Sequence, residues 1–197
     1  ETLSTDGLES QLRPYQDVGL QWLWFLYCNG LSGLLCDDMG LGKTHQAMAL
    51  LAAIWNKFSN KKASSPKFLV VCPTSVIYHW EEKLASFFPH LNVYTFHGIK
   101  RNLDFFKEGA DLLLTSYGVL RVEIEAIEKI GFELSIFDEM QIAKNSQSQV
   151  HKALKRLSTT MGLGLTGTPL ENHLRELKAL FDVVLLGYMP SEAKFKE

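Results

Sequence analysis

The run Cys36-Asp37-Asp38-Met39-Gly40-Leu41-Gly42-Lys43-Thr44 constrains this chain most, because it has to sit between a strand and a helix. It follows the short apolar run Leu31 to Cys36, which reads as a strand. It opens into His45 to Phe58, where Ala47, Met48, Leu50, Leu51, Ile54, Trp55 and Phe58 recur at helical spacing. Strand, glycine-bearing turn, Gly-Lys-Thr, helix is the context of a phosphate-binding loop. Gly40 and Gly42 let the backbone turn tightly and aim its amides at an anion, which the following helix start also favours. Lys43 would reach terminal phosphates, and Thr44 would hold magnesium through its hydroxyl. Six residues before Lys43 stands Asp37 where the general pattern has glycine.

A nucleoside triphosphate site needs a second half. Phe132 to Asp138 reads as a buried strand ending in adjacent carboxylates, Asp138 and Glu139. A parallel strand of this kind delivers its last residues to the sheet edge where ligands bind. Asp138 would hold the metal there, and Glu139 would orient and deprotonate an attacking water.

The remaining segments alternate. Pro14 suits the first turn of a helix to about Cys28, with Tyr15, Val18, Trp22, Phe25 and Leu26 on one face. Ser59 to Pro66 is a surface connection. Strands are expected at Phe68–Cys72, Asn92–Phe96, Leu112–Thr115 and Met161–Thr166. Helices are expected over Thr74–Phe88, Lys100–Lys107, Val119–Lys129 and Glu171–Val184, with another capped by Asn145 or Ser146. The reading is an α/β chain whose mostly parallel sheet carries helices on both faces and binds its ligand at the strands' carboxyl ends.

Composition narrows the classes. At 197 residues and 46% hydrophobic content the chain can bury one good core. A net charge of −2 gives no broad basic field, so any nucleic-acid surface has to be local. Cys28, Cys36 and Cys72 sit in apolar runs without ligand-like spacing and read as reduced core residues of a cytoplasmic or nuclear protein. No apolar stretch reaches membrane length. The charged ends give the look of a piece of something longer.

Further motifs carry a family likeness. Leu12-Arg13-Pro14-Tyr15-Gln16, Asp37 to Thr44, Val71-Cys72-Pro73-Thr74-Ser75 with Trp80, and His97-Gly98 with Arg101 follow in order. Leu114-Thr115-Ser116-Tyr117, Asp138-Glu139-Met140-Gln141 and Leu165-Thr166-Gly167-Thr168-Pro169-Leu170-Glu171-Asn172 complete the set. From Leu12 to about Pro190 the chain resembles the N-terminal RecA-like lobe of a Swi/Snf-family ATPase of helicase superfamily two. In that family Asp at the first loop position is ordinary. Met140 stands where the family usually has alanine or glycine, which puts a long side chain directly before Gln141.

The resemblance implies a fold and a set of roles. It implies a RecA-like P-loop lobe over residues 13–190, a loose segment 1–12, and 191–197 as the start of a linker to a second RecA-like lobe. It makes Gln16, which spacing alone reads as a helix-surface residue, an adenine contact. Asp38, Met39, Gly40, Leu41, Gly42, Lys43 and Thr44 become the nucleotide loop, with Lys43, Asp138, Glu139 and Gln141 serving hydrolysis. Pro73, Thr74, Ser75, His97, Thr115, Ser116 and Tyr117 become nucleic-acid contacts. The residues alone equally allow Thr74 or Ser75 to cap a helix, Tyr117 and Trp80 to pack, and His97 to sit in a turn. Thr166, Gly167 and Thr168 would link hydrolysis to lobe movement. The implied activity is DNA-dependent ATP hydrolysis with Mg2+ and translocation on double-stranded DNA. Implied partners are DNA-bound proteins such as RNA polymerase or nucleosomes, in a nucleus or on a bacterial nucleoid. The alternatives are a non-catalytic nucleotide-binding module and a strand-separating helicase.

Overall fold

A computed structural model describes residues 3–9, 11–36, 42–59, 65–167 and 174–184, with the side chains of 174 and 175 left aside. Asp37 to Leu41, Thr168 and the helix start expected at 171–173 lie outside the described residues.

Among the described residues six strands form one sheet: β1 (Gly33–Cys36), β2 (Phe68–Cys72), β3 (Val93–Phe96), β4 (Leu112–Ser116), β5 (Gly131–Phe137) and β6 (Ser158–Thr166). Their order is β1-β6-β5-β2-β4-β3, and every pairing is parallel. The helices are α1 (Pro14–Cys28), α2 (Lys43–Ser59), α3 (Ile77–Phe87), α4 (Asp104–Lys107), α5 (Tyr117–Ile127), α6 (Gln149–Leu154) and α7 (Leu174–Val184). β2 and β4 are buried along their whole length because both sheet faces are covered.

Alternation along each strand sorts the core into two layers. Phe68, Val70, Leu134, Ile136, Leu163 and Leu165 join α1, α2 and α3 on one face. Leu69, Val71, Leu113, Phe132 and Phe137 join α4, α5, α6 and α7 on the other. Each layer is continuous, so the sheet is held from both sides.

Four expectations change. Tyr15, Val18, Trp22 and Phe25 form the exposed face of α1, whereas Leu20, Leu23, Trp24, Leu26 and Tyr27 are buried. Cys28 and Cys36 are exposed, and only Cys72 is core. The helix after Asn145 is capped by Ser148, whose hydroxyl accepts from the His151 amide; Asn145 instead turns the chain by accepting from Gln147. Of the stretch 100–107, only Asp104–Lys107 is helical.

Candidate functional site

Apart from Leu12 to Gln16, which opens α1, the motifs singled out above end or follow strands at the same edge of the sheet. β1 ends at Cys36, β6 at Thr166, β5 at Phe137, β2 at Cys72, β4 at Ser116 and β3 at Phe96. Register holds these ends level, with Cys36 beside Thr166, Cys72 beside Ser116 and Phe96 beside Thr115. Strand order divides the edge. Lys43, Thr44, Asp138, Glu139, Gln141 and Thr166 follow or end β1, β5 and β6, whereas Pro73 to Ser75, His97 and Thr115 to Tyr117 lie on β2, β3 and β4 or just beyond them.

The acidic turn is the best-defined part. Asp138 continues the ladder by donating its amide to the Val71 carbonyl at 2.8 Å. Its Oδ2 accepts from Trp80 Nε1 at 2.8 Å, and its Oδ1 accepts from the Glu139 amide at 2.9 Å. The Tyr117 hydroxyl donates to the Asp138 carbonyl at 2.6 Å. Burial pushes the Asp138 carboxyl above the usual aspartate range, with Glu139 adding to the rise. The Trp80 N–H, the Glu139 amide and the Lys43 charge oppose it by favouring the ionised form.

Glu139 has φ 49°, and is the one non-glycine residue at positive φ among the described residues. A side chain in that region costs about 1–2 kcal/mol, so the surroundings have to impose it. The carboxylate then receives the Gln141 amide, whose Oε1 in turn accepts from Thr166 Oγ1 at 2.9 Å. Met140, between them, is fully buried. A chain of hydrogen bonds therefore joins the end of β5 to the end of β6.

Gln16 is buried, unlike the surface position that spacing alone gives it. Its Oε1 accepts from the Arg13 amide at 2.8 Å, closing the first turn of α1, and its Nε2 approaches the Gly42 carbonyl at 3.5 Å. Gly42 has φ +79°, and an added Cβ would meet Gln16 Nε2 at 2.2 Å, so that position requires glycine. Lys43 and Thr44, half-buried, begin α2. Burial lowers the pKa of the neighbouring His45, with the Lys83 and Arg13 charges adding to the fall, and its ring packs tilted against Phe87 with centroids 4.8 Å apart. Hard oxygen donors on Thr44 and Asp138 fit a magnesium ion, since each Asp138 oxygen accepts one protein hydrogen bond and keeps a lone pair.

The other half of the edge is less uniform. Thr74 and Ser75 are exposed in a 3-10 turn that precedes α3, and His97 is exposed beside Gly98. Arg101 braces that loop by donating to Glu123 Oε1 and to the Gly98 carbonyl at 2.6 Å, leaving Ile99 fully exposed at the tip. Thr115, Ser116 and Tyr117 do not present their hydroxyls outward. Thr115 donates to the Phe96 carbonyl, Ser116 caps α5 through the Val119 amide, and Tyr117 holds Asp138. The sheet buries these three, which the resemblance makes nucleic-acid contacts, and gives them internal partners. Gly167 is half-buried at the end of β6.

Two residues of the site escaped the sequence reading in their present roles. The sequence allows Trp80 to pack, and it is core, but its N–H also orients Asp138. Gly164 gave no local signal, and its significance is the room it leaves for Met140.

Known proteins share this arrangement. A family model described as the SNF2-related domain matches residues 15–197. TATA-binding protein-associated factor MOT1 of Saccharomyces cerevisiae is 36% identical over 201 residues, covering 97% of this chain and 11% of that protein. The putative ATP-dependent helicase/translocase YwqA of Bacillus subtilis is 37% identical over 193 residues, covering 96% of this chain and 20% of that protein. The Sulfolobus solfataricus SWI2/SNF2 ATPase core in complex with dsDNA superposes with a TM-score of 0.84 at 33% identity, covering 100% of this chain and 40% of that one. This chain thus spans only a small part of those two relatives and less than half of that solved core.

Proposed function

The chain belongs to the SNF2-related domain family, and on that premise we propose that it is the nucleotide-binding lobe of a magnesium-dependent ATPase that moves along double-stranded DNA. The observation that carries this reading is the divided sheet edge. Phosphate chemistry on β1, β5 and β6 lies directly beside the exposed polar groups that follow β2, with those after β3 at the far edge of the same sheet, so a change at one half has a short path to the other. The solved relative with duplex DNA supports the choice of ligand for the second half.

In this reading the amides around Gly42 and the Lys43 ammonium take the phosphates, and Gln16 takes the base. Thr44 and Asp138 would hold magnesium, which when bound offsets charge on the phosphate oxygens. Glu139 accepts a proton from the attacking water at its carboxylate, and Gln141 fixes the orientation of that carboxylate. DNA contact falls to Pro73, Thr74, Ser75 and His97, with Lys100 and Ile99 on the braced loop. Thr166 and Gly167, with Thr168, couple the two halves. A second RecA-like lobe supplies the remaining transition-state charge, so residues 1–197 alone bind nucleotide and turn it over slowly.

Two variants test the assignment. Lys43→Ala is expected to abolish magnesium-ATP binding in a calorimetric titration without loss of helical circular dichroism. Glu139→Gln is expected to retain ATP binding while DNA-stimulated turnover of the full-length protein falls by about a hundredfold or more. Full turnover by Glu139→Gln would remove Glu139 from the chemistry and favour a purely conformational role for the nucleotide.

A further inference from the structure

Met140 interrupts the acidic turn with a long side chain, and the sheet has a place for it. An ideal Cβ on Gly164 would lie 2.3 Å from Met140 Sδ and 2.6 Å from Leu34 Cδ1. Real Cβ atoms do not approach that closely, so a side chain at 164 would have to displace the ends of both the buried Met140 and the half-buried Leu34. The other glycine within β6 differs. A Cβ on Gly162 would come no nearer than 3.3 Å to Val184.

Met140 is fully buried and shares its layer with Phe137, Ala143, Leu180 and Val183. It lies between Glu139, held at positive φ, and Gln141, whose amide bridges Glu139 and Thr166. Once Met140 is seated against β6, the backbone on either side of it has little freedom, and the direction of the Gln141 side chain follows.

We propose that Met140, seated in the notch left by Gly164, is the positioning residue that aims Gln141 between Glu139 and Thr166. The pair forms a volume exchange: a large residue at 140 requires none at 164. The proposal rests on the reading of Glu139 as the residue that activates water, and it adds what holds Glu139's partner in place. Neither Met140 nor Gly164 touches nucleotide in this reading, so nucleotide affinity and turnover should separate.

The test uses Gly164→Ala, Met140→Ala and the double variant. In residues 1–197, side-chain amide resonances of Gln141 in 15N–1H spectra report its hydrogen bonds. In the full-length protein, DNA-stimulated kcat and the KM for ATP report the consequence. Because misplacement by an ångström costs about a hundredfold, Gly164→Ala should shift the Gln141 resonances and lower kcat by roughly tenfold or more. KM should stay within about twofold, since uniform binding is untouched. Met140→Ala, which empties the notch, should move both signals the same way, and the double variant should recover part of each, because the new methyl group refills the notch and only the end of the Leu34 side chain has to shift. Unmoved Gln141 resonances or an unchanged kcat in Gly164→Ala would overturn the proposal. So would a double variant no better than Gly164→Ala. If the unmodified full-length protein turns over no ATP, the functional reading fails by itself, and the Gln141 resonances still decide the packing claim.

Discussion

Asp138, the proposed magnesium ligand, is half-buried, and two donors favour the ionised form that burial disfavours. The Trp80 N–H is the side-chain donor, and a hydrogen bond to a charged group is worth about 1.5–3 kcal/mol. Trp80→Phe keeps most of the packing and deletes that donor, so the Asp138 pKa should rise further. The sign for stability follows from a folded pKa above the unfolded one. Stability is unaffected while Asp138 is protonated in both states, and falls as pH rises from the ordinary aspartate range through the folded pKa. Trp80→Phe should enlarge that fall and weaken magnesium-dependent ATP binding by about tenfold, at about 1.4 kcal/mol per decade. Denaturation curves across acid and neutral pH, and ATP titrations with and without magnesium, measure the two effects. The carboxylates were legible in the sequence because an apolar strand ends on them. Trp80 as their donor was not, because it lies 58 residues away and only the sheet brings it close.

Helices show the same division between local and distant information. Strand positions were legible because apolar runs in a parallel sheet admit few other readings. The buried face of α1 was not, since apolar residues surround that helix and periodicity cannot rank Leu23 over Phe25. Contact with α2 decides it, leaving Val18 at 66% and Phe25 at 59% exposed. At the start of α6, Asn145, Ser146 and Ser148 all had the chemistry of a cap, and only the turn geometry selects Ser148. Ser148→Ala should therefore cost about 1 kcal/mol, and Ser146→Ala a few tenths at most, in chemical denaturation. Equal losses would mean that the helix starts earlier in solution.

The whole molecule buries its two layers unevenly with respect to reactive groups. Cys72 lies in β2, paired on both sides, and burial pushes its thiol up to about 12, with Asp138 adding to the rise. Cys28 and Cys36 are exposed. A disulfide-exchange reagent at pH 8 should modify two thiols of the native protein quickly and the third only as the sheet opens. Adding denaturant should convert the slow thiol to a fast one along the same transition that circular dichroism follows.

Strand order also sets a schedule. The described pairing of β1 is to β6, and Gly162 donates to Ser32 across 130 residues of chain. During synthesis β2, β3, β4 and β5 can assemble first, since β2 bonds to β4 and β5 and β3 to β4. The strand that leads into the phosphate loop has no place in the sheet until β6 emerges, almost at the end of this sequence. A nascent chain of this kind holds its acidic turn ready early and acquires its grip on nucleotide last.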